Sequence, residues 1–281
     1  HMDRSVNKGA ELNPAVDLLP LLGCGKEPGA FRKLIAEAAG VREEHLLSTE
    51  LFLYPRTKAV QTGLNGEFIV SPRLDDLQCV FGCLEGFLAA KPGGSLPVLA
   101  VFNNEEVGSN TRQGADSTFL TDVLERIAHG CGLDSEGWKA AIANSFMVSA
   151  DNAHAIHPAH PEYADKGEFP VLGGGIVIKY NANQRYTTDA VSGAVFQAIC
   201  QEAGVPVQRY SNRADLPGGS TLGNISTAHL SVPTVDIGLP QLAMHSVCET
   251  AGAADTDYLV KAMTAYFSRD FHRDRDGGIV F

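Results

Sequence analysis

Apolar residues recur along this chain at two different spacings. Helical spacing is clear at Phe31, Leu34, Ile35 and Ala38, and Gly40 follows as a stop signal. The same spacing predicts further helices at residues 74–90, 118–130, 190–203 and 255–271. Short apolar runs that are typical of strands lie at residues 51–54, 68–70, 96–103, 145–150, 175–179, 205–210 and 234–237.

From residue 96 onward, the predicted strands and helices alternate. The run at 96–103 is continuously apolar, as is typical of parallel strands that are covered on both faces, and residues 145–150 are predicted to form another buried strand. The alternation predicts an α/β fold with a mostly parallel sheet flanked by helices on both faces. The beginning of the chain lacks this rhythm. Residues 1–70 are therefore predicted to form a smaller lobe, and residues 71–281 the main domain.

Composition and charge limit the binding partners and the cellular compartment that are expected for this protein. The chain has 281 residues, with 22 Lys and Arg against 33 Asp and Glu, a net charge of −11. Such a chain lacks a diffuse basic field, so neither nucleic acid nor an anionic membrane surface is expected as a partner. No apolar run approaches the roughly 18 residues of a membrane span. Six scattered cysteines without a CxxC pair, and no evident signal peptide, favour the reducing cytoplasm.

Acidic residues and a histidine follow the ends of several predicted strands. Glu105 and Glu106 follow the run at 96–103, Asp151 follows the run at 145–150, His245 comes shortly after 234–237, and Asp75 begins a helix. In open α/β sheets, ligands bind beyond the carboxyl ends of the strands. These segments are therefore expected to bring carboxylates and an imidazole to one rim. That is the ligand set of a divalent cation, with zinc the leading candidate.

Each of these residues also has an ordinary structural interpretation. Adjacent glutamates are usually solvated surface, Asp75 and Asp151 can each cap a helix, and His245 alone is more often a hydrogen-bonded histidine than a ligand. The position at a strand end favours function for Glu105 and Glu106, because adjacent side chains on extended backbone point opposite ways. One glutamate can then bind a metal while the other faces the substrate as a base.

Two other motifs carry weaker signals. His154, His157 and His160 are interrupted by prolines, which argues against a continuous helix bearing metal ligands. The glycine-rich stretches at 173–175 and 218–223 match neither a nucleophile elbow, a phosphate-binding P-loop nor a dinucleotide fingerprint.

Four motifs together resemble the aspartyl aminopeptidase family of zinc peptidases. They are SPRLDDL at 71–77, NEEVGS at 104–109, SADNAHAIHP at 149–158 and PQLAMHS at 240–246. They occur in the family's order, and the similarity covers nearly the whole chain. The four motifs together are specific, whereas any one alone would not be.

The resemblance implies a co-catalytic site with two divalent metal ions, zinc being the expected metal. Asp75 would bridge the two ions. Glu106 and His245 would complete the protein ligands of one ion, and Asp151 would serve the other. Glu105 would be the general base.

The resemblance also implies a substrate and places two residues near it. The expected reaction is removal of acidic N-terminal residues, Asp or Glu, from peptides. Lys179 and Tyr186 match positions near the substrate, and Lys179 is the candidate contact for an acidic side chain. The alternatives are a related dizinc deacylase that acts on N-acyl amino acids and a truncated, non-catalytic assembly subunit.

Finally, the resemblance implies self-association and a longer protein. The lobe at 1–70 resembles the family's inserted dimerisation domain, and family members build dimers into dodecamers. Members also carry an upstream catalytic segment with a histidine that joins the ion held by Asp151, so this chain is predicted to be N-terminally truncated and not fully active. His1 matches a family histidine that reaches the partner's active site. It is a substrate-binding candidate only if native, because recombinant expression often leaves His-Met at an amino terminus.

Overall fold

The computed structural model describes residues 4–25, 27–216 and 218–281, and it divides the chain into two compact units. The first unit ends at Tyr54, and the second begins at Pro55. The boundary predicted from the sequence lies later, at residue 70, so the first two strands belong to the second unit. His1 lies outside the described residues, and a dimerisation role for the early lobe stays a prediction.

The first unit contains one α-helix, α1 (Ala30–Ala39), among its described residues. This confirms the helix that the apolar spacing predicts. It ends at Gly40, whose φ of 67° lies in the left-handed region that glycine adopts without a steric penalty. The predicted strand at 51–54 is wrong, because this stretch pairs with none of the described strands and its Phe52 and Leu53 side chains are exposed.

The second unit contains two larger sheets, a two-stranded hairpin and six α-helices within its described residues. In chain order the elements are β1 (Val60–Thr62), β2 (Phe68–Ser71), α2 (Leu74–Ala89), α3 (Phe119–Gly130), α4 (Ser135–Ala143), β3 (Met147–Ala150), β4 (Ala153–His154), β5 (Ile176–Tyr180), α5 (Ala190–Glu202), β6 (Val207–Ser211), α6 (Leu222–His229), β7 (Thr234–Gly238), β8 (Pro240–Leu242), β9 (Glu249–Gly252), α7 (Asp255–Phe267), β10 (His272–Arg273) and β11 (Ile279–Val280). No helix in this described part, or in the first unit's described part, is long and apolar enough to cross a membrane.

The α/β class is confirmed, but the sheets are mixed and not mostly parallel. One sheet has the order β3-β7-β5-β6, and the other has the order β1-β2-β9-β8-β4. The pairs β3–β7, β5–β6 and β4–β8 are parallel, whereas β5–β7, β1–β2, β2–β9 and β8–β9 are antiparallel. The connection between β8 and β9 is too short for the crossover of about a dozen residues that parallel neighbours require, so these strands run antiparallel.

The predicted strand at 96–103 is also wrong. This segment belongs to none of the described sheets. Leu99 packs against the core, but Leu96, Val98 and Val101 are exposed. A continuous apolar run predicts burial on both faces, yet a strand also needs hydrogen-bonded neighbours, which apolar composition alone does not supply.

The core of the second unit lies between helices α2, α5 and α7 and strands β3, β5 and β7. Helices α2 and α7 approach closely at two glycines. A Cβ atom added to Gly82 would lie 2.7 Å from Leu259 Cδ2, and one added to Gly86 would lie 2.5 Å from Met263 Cβ. This close packing fixes α2, and with it the acidic residues in its first turn, against the core.

Candidate metal centre

The predicted metal ligands lie on four separate segments of the second unit. Asp75 is in the first turn of α2, and the two adjacent glutamates begin a 3₁₀ turn, Glu105–Val107. Asp151 directly follows β3, where its N–H donates to the carbonyl of Ile237 in the parallel neighbour β7 at 3.1 Å. His245 lies in the connection between β8 and β9.

Asp75, Glu106 and His245 form a first cluster of possible metal ligands. His245 Nε2 lies 3.1 Å from Asp75 Oδ2 and 3.0 Å from Glu106 Oε2. All three ligand atoms lie within 4.8 Å of one another. One imidazole nitrogen and two carboxylate oxygens are suitable ligands for a borderline cation such as zinc.

Asp75 also belongs to a second cluster, together with Asp76 and Asp151. One carboxylate oxygen from each of the three lies within 4.8 Å of the others. The two clusters therefore share Asp75. Asp76 is an addition to the predicted set, and its Oδ1 already accepts the backbone N–H of Asn152 at 3.1 Å.

The donor set fits a bound cation, because one of its oxygens is buried without a partner. Asp75 Oδ1 has no hydrogen-bond donor among the described residues. A buried polar atom without a partner costs free energy, and three carboxylates packed together repel one another. A divalent cation would remove both penalties.

The proton affinity of the site is raised by burial and by crowded negative charge. Burial, and after it the charges of Asp151 and Glu106, raise the pKa of Asp75 to about 8. Burial and the same two carboxylates raise the pKa of Glu105 to about 7, although Lys179 acts in the opposite direction. Without a cation, the site therefore holds protons near neutral pH, and cation binding would release them.

We expect the metal-free chain to lose stability as the pH rises from about 4 to about 8. The folded chain holds a proton on Asp75, whose pKa is about 8, whereas the unfolded chain releases it near the ordinary value of 3.8. The folded state binds more protons across this window, so the free energy of unfolding falls by up to about 1.4 kcal/mol per pH unit. Urea unfolding in the presence of a chelator measures the slope. A rise in stability across the window would contradict the prediction.

Lys179 and Tyr186 lie in the interior beside the second cluster. Lys179 is 2% exposed and is therefore not an ordinary surface lysine. Its Nζ lies 3.6 Å from Asp151 Oδ2, donates to the carbonyl of Asn152 at 2.7 Å, and lies 5.6 Å from the centre of the Tyr186 ring. The ammonium group thus offsets part of the negative charge of the site.

Asn152 is a buried residue of this region that the sequence reasoning did not single out. Its side-chain amide donates to Gln78 Oε1 at 3.0 Å and to Gln241 Oε1 at 2.8 Å, and its Oδ1 accepts from the Cys79 thiol at 2.9 Å. Because its backbone N–H also donates to Asp76, Asn152 links the segment after β3 to α2 and β8. Its position directly after Asp151, inside one motif, is the sequence signal.

Glu249 is a second buried residue that the sequence reasoning missed. Its carboxylate accepts the backbone N–H groups of Asp75 and His245. Its signal in the sequence is weak, since it is one acidic residue four positions after His245.

The three histidines at 154–160 belong to neither cluster of described ligands. The His157 and His160 rings lie 5.4 Å apart on the surface, and His160 pairs with Glu162. The predicted candidate His1 falls outside the described residues.

Comparison with known proteins connects this geometry to a family. A family profile described as aminopeptidase I zinc metalloprotease (M18) matches residues 1–267. A probable M18 family aminopeptidase 2 from Clostridium acetobutylicum is 44% identical over 272 residues, which cover 95% of this chain and 63% of the relative. A counterpart from Mycobacterium leprae is 38% identical over 263 residues, covering 94% of this chain and 62% of the relative. This chain therefore spans less than two thirds of the length of these curated relatives.

Solved structures show the same similarity in three dimensions. An M18 family aminopeptidase from Thermotoga maritima has a TM-score of 0.77 at 27% identity, covering 89% of this chain and 57% of that chain. A structure described as the S. cerevisiae mApe1 dodecamer has a TM-score of 0.74 at 30% identity, covering 84% of this chain and 54% of that chain.

Proposed function

We propose that this chain, which belongs to the M18 family of zinc metallo-aminopeptidases, supplies the metal centre of an enzyme that removes acidic residues from the N-termini of peptides. The observation that carries the proposal is the position of Asp75, whose carboxylate is shared by two ligand clusters drawn from four segments. A carboxylate that belongs to both clusters would be available to two zinc ions. Asp75, Glu106 and His245 would hold one ion, and Asp75 and Asp151 would hold the other.

The chemistry divides between the metal and the chain. When bound, zinc would supply Lewis-acid polarisation of the scissile carbonyl and a more acidic water molecule. Glu105 would accept the proton of the attacking water and return it to the leaving amine. Two features support this role: Glu105 is adjacent in sequence to a candidate ligand, and its carboxylate lies in the same electrostatic environment as Asp151, Glu106 and Lys179.

The preference for acidic residues is assigned to Lys179. It supplies a positive charge among the carboxylates of the site, and Tyr186 packs beside it. A substrate carboxylate would accept a hydrogen bond from this ammonium group. Since charge-assisted hydrogen bonds contribute about 1.5–3 kcal/mol, an acidic side chain would gain about 10- to 100-fold over a neutral one.

We expect the zinc-loaded chain to hydrolyse aspartyl and glutamyl anilides about 10- to 100-fold faster, in kcat/KM, than leucyl anilide. N-acetyl-aspartyl anilide, which has the same side chain and no free amine, is the matched control and should not be cleaved. Faster cleavage of the blocked substrate would indicate the deacylase. No hydrolysis, combined with a single bound zinc by elemental analysis, would indicate a non-catalytic assembly subunit.

We also propose that the chain self-associates, first as a dimer and then as a dodecamer. The support is the similarity to the yeast mApe1 structure, which is described as a dodecamer. Light scattering coupled to size-exclusion chromatography measures the assembly. A monomer at micromolar concentration would contradict the proposal.

A further inference from the structure

Glu249 joins two distant segments that each carry a candidate metal ligand. It is the first residue of β9 and only 2% exposed. Its Oε2 accepts the backbone N–H of Asp75 at 3.1 Å, and its Oε1 accepts the backbone N–H of His245 at 2.7 Å. Both carboxylate oxygens are therefore used to hold the main chain at these two residues.

The sheet register explains how one side chain reaches both segments. Glu249 pairs with Ser71, the last residue of β2, and so lies beside the strand that leads into Asp75. On its other side, the chain returns from His245 to Glu249 within four residues. His245 has a φ of 67°, in the left-handed region that is unfavourable for residues other than glycine. The hydrogen bond from its N–H to Glu249 opposes relaxation of this turn.

We propose that Glu249 is a positioning residue of the metal centre, which sets the separation of the Asp75 and His245 side chains before a cation binds. This inference rests on the proposed function, because it treats Asp75 and His245 as ligands of one ion. Glu249 acts through the backbone of the ligands, because both of its carboxylate oxygens accept main-chain N–H groups. Residues that orient metal ligands in this way typically affect metal affinity about 10- to 100-fold when they are replaced.

Asp255 provides a matched control with the same local chemistry. It is 0% exposed, and its two carboxylate oxygens accept the backbone N–H groups of Gly173 and Gly175 at 2.8 and 2.9 Å. Neither glycine is a candidate metal ligand. Asp255→Asn therefore replaces one of two carboxylate oxygens that accept backbone N–H groups, as Glu249→Gln does. The difference is that the Asp255 carboxylate holds no residue that is a candidate metal ligand.

The decisive experiment compares zinc affinity and thermal stability in the two variants and the wild type. Competition with a chromophoric chelator gives the affinity. Glu249→Gln should weaken zinc binding about 10- to 100-fold, because its amide NH₂ faces one of the two N–H groups. Asp255→Asn should lower the melting temperature and leave zinc affinity unchanged. Equal losses of stability with unchanged affinity in both variants would overturn the proposal and make Glu249 a purely structural residue.

A metal-free measurement separates this proposal from the proposed function. Long-range ¹H–¹⁵N spectra report the hydrogen bonding of the His245 imidazole, which contacts Asp75 and Glu106 without any cation. Glu249→Gln should shift the His245 signals, and Asp255→Asn should not. If the wild type binds no zinc, the proposed function fails, while this spectrum still decides the role of Glu249. Unshifted His245 signals in Glu249→Gln would overturn that role.

Discussion

Replacing Glu105 with glutamine is expected to lower kcat on an aspartyl anilide by about 100- to 10,000-fold, the usual contribution of a general base, while zinc content stays at the wild-type level. Glutamine has nearly the same shape as glutamate but cannot accept a proton from water. Glu105 is also adjacent in sequence to Glu106, a candidate ligand, and so lies at the edge of the first ligand cluster. Steady-state kinetics with parallel elemental analysis measure both quantities.

The neighbouring glutamate supplies the control for this experiment. Glu106 Oε2 lies 3.0 Å from His245 Nε2 and belongs to the first ligand cluster, so Glu106→Gln should lose zinc as well as turnover. The two adjacent substitutions are then distinguished by metal content and not by activity alone. Near-normal turnover of Glu105→Gln with metal bound would show that the base is another group. Loss of zinc from this variant would make Glu105 a ligand.

The convergence of the candidate metal ligands could be predicted from the sequence, because it depends on local patterns that mark where strands and helices begin and end. Asp151 directly follows a buried strand, and Asp75 lies in the first turn of a helix, so both positions follow from where the elements begin and end. The four motifs added the roles of individual residues, and those roles stay predictions. The burial of Lys179 could not be predicted, because an isolated lysine in a sequence does not reveal which acidic residue faces it across the fold.

Strand direction and strand existence were harder to predict, because both depend on contacts far apart in sequence. The apolar run at 96–103 has the composition of a buried strand, but pairing requires neighbours that no local pattern specifies. The antiparallel pairing of β5 with β7 likewise follows from the path of the chain through α5, β6 and α6. Glu249 was missed for the same reason, since its importance lies in its hydrogen bond to Asp75, 174 positions earlier in the sequence.

Replacing Asp75 with asparagine is expected to remove both zinc ions, whereas replacing Asp151 or His245 should remove only one. The reason is that Asp75 belongs to both ligand clusters, while Asp151 and His245 each belong to a single cluster. A neutral amide oxygen is a poor substitute for a shared carboxylate, because it cannot offset the charge of two cations. Zinc equivalents per chain, measured after dialysis against a weak chelator, should be near zero for Asp75→Asn and near one for Asp151→Asn and His245→Ala.

The same substitution should make the metal-free chain more stable, which shows that zinc loss does not come from misfolding. At pH 7, the folded wild type must keep a proton on Asp75 that the unfolded chain would release, and this proton uptake is a cost of folding. Asparagine carries no charge in either state and removes that cost, so the fall in stability between about pH 4 and 8 should flatten. Urea unfolding of the two metal-free proteins at pH 5 and pH 8 tests this. If Asp75→Asn retains one full equivalent of zinc, then Asp75 is not the residue that the two ions share. If it is less stable than the wild type at pH 8, then the pKa of Asp75 is not raised in the metal-free fold.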